Sequence, residues 1–212
     1  MSKLILLRHL KSQWNLENRF TGWVDVPLAK TENEIPVIDF NVAYTSPLIR
    51  NLHTVLKIFE NINKYPIFRH FEGKMGKWAK FEELNKDYMP VYVSETLNER
   101  YYGKLQGENK ETAMKKYGEE QVHLWRRSYN VAPPGGESLA DVVKRAAPFY
   151  QKYIENDLRQ GKNVLVVASH NSLRALVKHI EKISDDDIIN LEIPYGGFLE
   201  YEFEQGLYKK LN

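Results

Sequence analysis

An apolar run close to the amino terminus ends in an arginine and a histidine. Residues 4–7 read Leu-Ile-Leu-Leu, and Arg8 and His9 follow at once. A continuous apolar run of this length is typical of a buried strand in a parallel sheet. Open α/β sheets bind ligands just beyond the carboxyl ends of their strands. A guanidinium and an imidazole at that place therefore predict an anion site with a candidate nucleophile.

The composition limits the class of protein. The chain has 212 residues, 42% of them hydrophobic and 27% charged, which suits one globular domain with a substantial core. Its net charge of +2 implies no general attraction to nucleic acid or to an anionic membrane. The lack of cysteine excludes disulfides and thiolate nucleophiles. No apolar stretch has the length of a membrane span and the first strand follows no signal peptide, so we expect a cytoplasmic enzyme.

Strand and helix candidates alternate along the chain. Strands are predicted at residues 4–7, 42–45, 91–94, 164–168 and 199–203, and helices at residues 48–62, 110–117, 138–158 and 172–183. Ser138, with Asp141 three residues later, predicts the start of the third of these helices. The alternation predicts one α/β domain over residues 1–212. We expect a three-layer sandwich with a mostly parallel central sheet flanked by helices.

Two stretches do not fit a simple alternation. Residues 29–39 join the first loop to the second strand without room for a long helix. Residues 68–90 combine aromatic and basic side chains, namely Phe71, Trp78, Phe81 and Tyr88 among Lys74, Lys77, Lys80 and Lys86. Stacking on nucleic acid is one interpretation. The nearly neutral chain favours the other, a surface excursion within an atypical insertion at about residues 65–93, and we expect a lid over the site.

The loops after the predicted strands share a set of polar side chains. Ser12, Asn15, Arg19, Thr21 and Gly22 follow the first strand, Arg50 the second, Glu99 and Arg100 the third, and Ser169, His170 and Asn171 the fourth, while Arg126 and Arg127 precede a Pro-Pro-Gly-Gly turn. The carboxyl ends of parallel strands meet at one sheet edge, so these side chains should converge. Helix amino termini would add backbone donors there. The pattern predicts a pocket for a small, multiply charged anion such as a phosphorylated acid.

Longer motifs resemble the cofactor-dependent phosphoglycerate mutases of the histidine phosphatase superfamily. The most specific are Asn-Arg-Phe-Thr-Gly-Trp at residues 18–23 and Leu-Asn-Glu-Arg-Tyr-Tyr-Gly-Lys-Leu-Gln-Gly at residues 97–107. Further matches lie at residues 6–9, 12–15, 117–118, 120–122, 125–129 and 171–176. The direct step from Pro134 to Ser138 resembles the shorter members of the family. Only residues 29–40 and 65–93 fail to follow the family layout.

The resemblance implies a phosphoryl-transfer site that needs no metal. His9 would be the nucleophile and would carry a phosphoryl group donated by 2,3-bisphosphoglycerate. Arg8, Arg50 and His170 would surround this group, and Glu99 would be the general acid and base. The rest of the substrate would be held by Lys11, Ser12, Asn15, Thr21, Gly22, Arg100, Tyr102, Lys110, Arg126, Arg127, Ser169 and Asn171.

The implied reaction interconverts 3-phosphoglycerate and 2-phosphoglycerate in glycolysis and gluconeogenesis. The implied partner is a small phosphorylated acid, with neither nucleic acid nor membrane. We expect a monomer or a small homo-oligomer.

The chain departs from the family pattern at two places in this site. Leu10 and Lys11 stand where the family has Gly and Glu. Leu10 requires an ordinary backbone angle, and Lys11 either contacts phosphate or points to solvent. The family motif His-Gly-Asn-Ser-Leu-Arg here begins Ser169-His170-Asn171. Either His170 fills the phosphate pocket through an altered turn, or Ser169 stands in with its hydroxyl. We favour His170, because an imidazole can donate a charged hydrogen bond to phosphoryl oxygens.

Three functions follow from these features. Retention of His9, Glu99 and the Arg126–Arg127 pair favours a working mutase. A histidine phosphatase acting on small phosphate esters would use the same phosphohistidine and release phosphate to water, and the Arg126–Arg127 pair with Lys110 argues against it. A catalytically impaired phosphate-binding protein would keep the anion site and lose turnover.

Overall fold

The computed structural model describes residues 1–31, 35, 37–79 and 85–212. In these residues the strands are β1 Ser2–Arg8, β2 Val42–Thr45, β3 Tyr65–His70, β4 Tyr88–Val93, β5 Val164–Ala168, β6 Phe198–Glu204 and β7 Leu207–Lys210. The helices are α1 Gln13–Leu16, α2 Ile49–Phe59, α3 Gly73–Trp78, α4 Lys110–Tyr117, α5 Glu119–Arg127, α6 Leu139–Phe149, α7 Glu155–Arg159 and α8 His170–Glu181. Short 3-10 turns at Glu95–Leu97, Gly103–Leu105 and Asp187–Asn190 shape three of the loops.

All of these strands join one sheet in the order β3-β4-β2-β5-β1-β6-β7. The strands from β3 to β1 pair in parallel, whereas β6 runs antiparallel to β1 and β7 antiparallel to β6. Strand β5 is buried along its whole length and so is most of β1. Burial on both faces requires apolar side chains on both, which explains their continuous apolar runs. The predicted α/β class with a mostly parallel sheet is confirmed.

The two faces of the sheet carry separate cores. Leu4 and Leu6 lie in one apolar cluster, with side chains of α6 and α8. Ile5 and Leu7 lie in the other, with side chains of α2. Successive side chains of a strand point to opposite faces, so a single strand contributes to both layers. Each such leucine contributes about 1.5–3 kcal/mol through burial.

Local signals set most helix boundaries. The Ser138 hydroxyl accepts from the amide of Asp141, and the Asp141 carboxylate accepts from the amide of Ser138, so α6 begins with the expected capping box. Helix α4 spans the predicted residues 110–117. The single helix predicted over residues 138–158 is interrupted: Pro148 lies inside α6, and a π-helical turn at Tyr150–Ile154 leads into α7. Proline lacks the amide that would continue the hydrogen-bond ladder.

The segment expected to form a lid belongs instead to the sheet edge. Of residues 68–90, the described part contains the end of the edge strand β3, the short helix α3 and the start of β4. None of these described residues lines the pocket presented below, so the lid expectation is wrong for them. Lys80 and Phe81 lie outside the described residues. Within the described ranges, no helix is both long and apolar enough to cross a membrane.

Candidate active site

A cavity of about 250 Å³ opens at the edge where the parallel strands end. It gathers side chains from β1 to the loop before β6, across most of the chain length. The predicted residues that line it are Arg8, His9, Asn15, Thr21, Gly22, Arg50, Glu99, Tyr102, Lys110, Arg126, Arg127, His170 and Asn171. The convergence expected from the strand ends is therefore present in the structure.

His9 is held as a neutral imidazole, and among the described residues its Nε2 has no hydrogen-bond partner. It follows β1 directly, and its amide donates to the carbonyl of Ala168 at the end of β5. Its Nδ1 lies 2.6 Å from the carbonyl oxygen of Leu10. A carbonyl only accepts, so Nδ1 carries the proton and Nε2 presents its lone pair. Burial, together with the charges of Arg50 and Arg8, lowers the pKa of His9 well below its usual value. The imidazole is therefore uncharged at neutral pH and suited to nucleophilic attack.

Arg50 supplies a buried positive charge beside His9. It lies in the first turn of α2, where its Nη2 donates to the carbonyl of Gly22 at 2.7 Å and its Nη1 to that of Val24 at 3.1 Å. Burial lowers the pKa of Arg50 to about 10, which leaves the guanidinium charged at neutral pH. No carboxylate forms a salt bridge with it among the described residues. An anion in the cavity would supply the missing counter-charge.

The carboxylate of Glu99 is oriented by two donors. Its Oε1 accepts from the amide of Arg100 at 2.6 Å and from Nδ2 of Asn171 at 2.9 Å. Arg174 donates to Oδ1 of Asn171 at 3.0 Å, so the amide of Asn171 can turn only its nitrogen toward Glu99. The second oxygen of Glu99, Oε2, has no hydrogen-bond partner in the part of the chain that the structure describes. A proton could enter or leave the carboxylate there.

Further cations line the same cavity. Arg126 and Arg127 end α5, and Lys110 begins α4. Burial, followed by the charges of Arg126 and Arg8, lowers the pKa of Lys110 to about 8. Mutual repulsion of this kind is relieved when an anion binds among the cations. With Arg8 and Arg50, the pocket thus holds several positive groups, which fits a ligand with more than one anionic group.

Ser169 and His170 occupy different places in the site. The Ser169 hydroxyl does not cap α8; its oxygen lies 3.5 Å from Nη2 of Arg50 and 3.4 Å from Nδ2 of Asn51. His170 Nε2 instead lies 3.2 Å from the Glu192 carboxylate, near Arg127. Burial and the charge of Arg8 lower the pKa of His170 to about 2. A phosphoryl anion beside the ring would favour its charged form, so the charged hydrogen bond expected of His170 stays a prediction.

Sequence comparisons place the chain in a family. The model of the histidine phosphatase superfamily (branch 1) matches residues 4–87 and 79–211. The chain belongs to this superfamily. A 2,3-bisphosphoglycerate-dependent phosphoglycerate mutase of Methanococcus vannielii is 45% identical, covering 100% of this chain and 94% of the relative. The enzyme of the same name from Gloeothece citriformis is 42% identical over 97% of this chain and 95% of its own length. The family resemblance inferred from the motifs is confirmed.

Solved structures of other proteins share the fold of this chain. A mycobacterial glucosyl-3-phosphoglycerate phosphatase has a TM-score of 0.75 at 18% identity, covering 99% of this chain and 97% of the other. The α-ribazole phosphatase of Shigella flexneri has a TM-score of 0.72 at 16% identity, with 99% and 94% covered. At such identities the likeness establishes the architecture and leaves the substrate open.

Four of the predicted site residues do not line the cavity. Ser12 caps α1, where its hydroxyl and Asn15 form a capping box. Arg100 is fully buried behind Tyr102, and its Nη2 donates to the carbonyl of Arg126 at 3.0 Å. Lys11 is half-buried, and Ser169 lies behind Arg50 as described above. The part of the chain described by the structure contains no group of three acidic, histidine or cysteine side chains that could hold a metal ion.

Leu10 shows how the chain accommodates the first departure from its family. Its φ is not positive, as expected for a residue other than glycine. Its side chain is buried, and its amide donates to the hydroxyl of Thr54 at 3.1 Å.

Arg19 lines the cavity, as its expected convergence at this edge implies, although no role was assigned to it. Three lining residues were not predicted. Phe20 lies in the motif at residues 18–23 that the family resemblance already included. Glu192 and Tyr195 lie in the loop before β6. An antiparallel strand begins at the edge where parallel strands end. The Pro-Tyr-Gly-Gly turn before the predicted strand at residues 199–203 could have pointed to this loop, had that strand's direction been known.

Proposed function

We propose that this chain is a 2,3-bisphosphoglycerate-dependent phosphoglycerate mutase that interconverts 3-phosphoglycerate and 2-phosphoglycerate through a phosphohistidine. The observation that carries the proposal is the state of His9: neutral, with its Nε2 unpaired among the described residues, between Arg8 and Arg50. Relatives of that name, matched over nearly the whole chain, support the assignment. Its partner would be a small phosphorylated acid, and its place of action the cytoplasm, in glycolysis and gluconeogenesis.

The pocket fits a donor with two phosphates. Arg8, Arg50, Lys110, Arg126 and Arg127 all line it. The Nε atoms of Arg8 and Arg50 are buried without a hydrogen-bond partner among the described residues. Buried polar atoms without partners are rare in native proteins, so these donors suit phosphate oxygens. When bound, 2,3-bisphosphoglycerate supplies the phosphoryl group that His9 carries.

The chain's own groups account for the transfer step. Nε2 of His9 forms a bond to phosphorus as the bond between phosphorus and the ester oxygen breaks. Glu99, protonated, gives its proton to that leaving oxygen and becomes a carboxylate. The Leu10 carbonyl holds the Nδ1 proton throughout. Arg8 and Arg50 neutralise the equatorial oxygens of the moving group.

The reverse transfer completes the mutase cycle. Glu99, now a carboxylate, removes the proton from the acceptor hydroxyl, whose oxygen forms the new bond to phosphorus as the bond to Nε2 breaks. Lys110, Arg126 and Arg127 hold the other anionic groups meanwhile. These contacts let the bisphosphate intermediate reorient in the pocket without dissociating, and this favours a mutase over a phosphatase.

The test is turnover of purified protein with and without 2,3-bisphosphoglycerate while phosphate release is followed. Conversion stimulated by the bisphosphate, with little phosphate released, is the expected result. Phosphate release alone would identify a histidine phosphatase. Binding without turnover would identify an impaired phosphate-binding protein.

Two substitutions test the residue roles in the same assay. His9→Ala should abolish the phosphoenzyme, whereas His123→Ala, an exposed histidine outside the pocket, should leave it intact. Glu99→Gln should slow transfer by about 100-fold or more while substrate still binds. A phosphoenzyme that survives His9→Ala, or a near-normal rate in Glu99→Gln, would reject the corresponding role.

A further inference from the structure

Residues 193–197 wrap around the end of β1. The amide of Arg8 donates to the carbonyl of Gly197 at 2.9 Å, and the amide of Gly196 donates to the carbonyl of Arg8 at 3.2 Å. The Arg8 side chain is held too, since its Nη1 donates to the carbonyl of Ile193 at 2.6 Å. Backbone and side chain of Arg8 are therefore tied to a single loop.

The ring of Tyr195 lies against the Arg8 guanidinium. The Cζ atom of Arg8 lies 3.7 Å from the ring centroid of Tyr195. The same ring lies 6.0 Å from the His9 imidazole, centroid to centroid, at an angle of 48°. Tyr195 also lines the cavity and is half-buried. Burial raises its pKa, so the phenol is uncharged at neutral pH and its ring presents a negative π face to the cation.

Stacking leaves the edge of the guanidinium available. A ring on the face of the group uses none of its N–H donors, and the Tyr195 hydroxyl lies near enough to hydrogen-bond with the guanidinium as well. Of these donors, one on Nη1 is taken by the Ile193 carbonyl, while Nε is buried without a partner among the described residues. The ring thus restricts the plane of the guanidinium, and the carbonyl restricts its rotation in that plane.

Leu10 packs against the same loop, residues 193–197. Gly196 has a φ of +71°, and a Cβ built there would lie 3.2 Å from Cδ2 of Leu10. Leu10 is itself buried. The residue that stands where the family has glycine therefore packs against the loop that carries Tyr195.

We propose that Tyr195 is a positioning residue for phosphoryl transfer, whose ring holds the Arg8 guanidinium in the plane required beside His9. The proposal rests on the proposed function for the identity of the substrate. The effect of Tyr195 on anion binding beside His9 does not depend on that identity. Tyr195 acts through Arg8 and takes no part in bond making.

Two variants separate the ring from the hydroxyl. Tyr195→Phe keeps the π face, and Tyr195→Leu removes it. The probe is orthovanadate, which resembles a phosphoryl group and tests the His9 end of the pocket without turnover. Tyr195→Phe should bind it within about twofold of the original protein, and Tyr195→Leu about tenfold more weakly. Tyr153→Leu is the matched control, because Tyr153 also stacks on a cation, Lys152, but lies outside the pocket.

The kinetic readout distinguishes positioning from general damage. In Tyr195→Leu the rate of His9 phosphorylation should fall about tenfold, while KM for 3-phosphoglycerate stays within about threefold. Rescue by phenylalanine is part of the expected result. If Tyr195→Phe and Tyr195→Leu lost equal shares of the phosphorylation rate, the effect would belong to the hydroxyl and the proposal would be overturned. Unchanged affinity for vanadate in Tyr195→Leu would also overturn the proposal. Vanadate binding needs no mutase activity, so failure of the proposed function would leave this test intact.

Discussion

At the scale of single residues, Lys110 is a group of the pocket whose charge changes close to physiological pH. Its lowered pKa, about 8, has its cause in burial and in the neighbouring arginines, which stay protonated. The ammonium is fully present well below that pH and is lost as the pH rises through it. A bound anion stabilises the charged form, so binding near this pH should take up protons.

We therefore expect affinity for 3-phosphoglycerate to fall as the pH rises from about 7 to about 9.5. Titration calorimetry across this range measures the dissociation constant and, in two buffers, the proton uptake. Lys110→Arg keeps its charge throughout and should remove most of the dependence. A flat profile in the original protein would contradict the assigned pKa, as would an unchanged slope in the arginine variant.

Glu192 introduces a negative charge into an otherwise cationic end of the pocket. Its side chain is 53% exposed, forms an ion pair with Arg127 and lies 3.2 Å from the uncharged ring of His170. An incoming anion must compete with this carboxylate for Arg127. Exposed ion pairs contribute little, about 0–1 kcal/mol, so the competition is modest.

Glu192→Gln should accordingly strengthen binding of 3-phosphoglycerate by about two- to fivefold and leave vanadate binding at the His9 end unchanged. Glu200→Gln serves as the control, because Glu200 pairs with Lys3 outside the pocket. Weaker binding in Glu192→Gln would show that the carboxylate assists the ligand.

At the scale of elements, helix α6 anchors the loop that carries Glu99. Arg145 of α6 donates to the carbonyls of Thr96, Asn98 and Glu99 at 2.6, 2.9 and 3.0 Å. Its charge is balanced by Glu137 at 2.9 Å. One guanidinium thus donates to three loop carbonyls. Those of Asn98 and Glu99 also accept from the side chains of Ser172 and Trp23.

Arg145→Met should lower the free energy of unfolding by about 1–3 kcal/mol, because the Thr96 carbonyl and the Glu137 carboxylate lose a donor. The variant should also lower kcat, since Glu99 loses its anchor. Urea denaturation and steady-state kinetics measure the two effects. Arg159→Met is the control: this exposed pair with Glu155 should cost no more than about 0.5 kcal/mol. Equal stabilities of the two variants would reject the anchoring role.

At the scale of the whole molecule, the site joins distant parts of the chain, from Arg8 to Tyr195. A ligand that bridges these parts stabilises the folded state alone, by about 2.7 kcal/mol at 100 times its dissociation constant. For a chain of this size such a gain raises Tm by about 5–10 °C.

We expect 2,3-bisphosphoglycerate to produce this shift in a thermal unfolding experiment. Sodium chloride at equal ionic strength should not reproduce it. Arg50→Met, which removes a buried cation from the pocket, should reduce the shift obtained with the bisphosphate. A rise of equal size in salt would mean that general screening of charge, and not the site, is responsible.

The elements that could be predicted are those whose signals are local. Strands β1 and β5 are buried on both faces and so are apolar throughout, whatever their partners. Helix α4 has its predicted bounds, since Asn109 caps its start and Gly118, with a φ of +88°, ends it. Edge strand β3 was missed because its side chains are only partly buried and carry no clear alternation.

The site residues likewise separate into those with a local sequence signal and those placed by tertiary contacts. The residues that follow parallel strands, among them His9, Arg50 and Glu99, were predictable because strand direction places them at one edge. Tyr195 and Glu192 were not, because only the antiparallel pairing of β6 with β1, which sets Leu7 opposite Phe198, brings their loop to His9.

The chemical types present at the site, and their order after the strands, were thus legible in the amino-acid sequence. The proton on Nδ1 of His9 depends on the Leu10 carbonyl, and the neutrality of its ring depends on burial beside Arg50. The separation of Ser169 from His170 depends on where α8 begins. Protonation and orientation are set by burial and by distances between groups, many of them remote along the chain, and these exist only after the chain has folded.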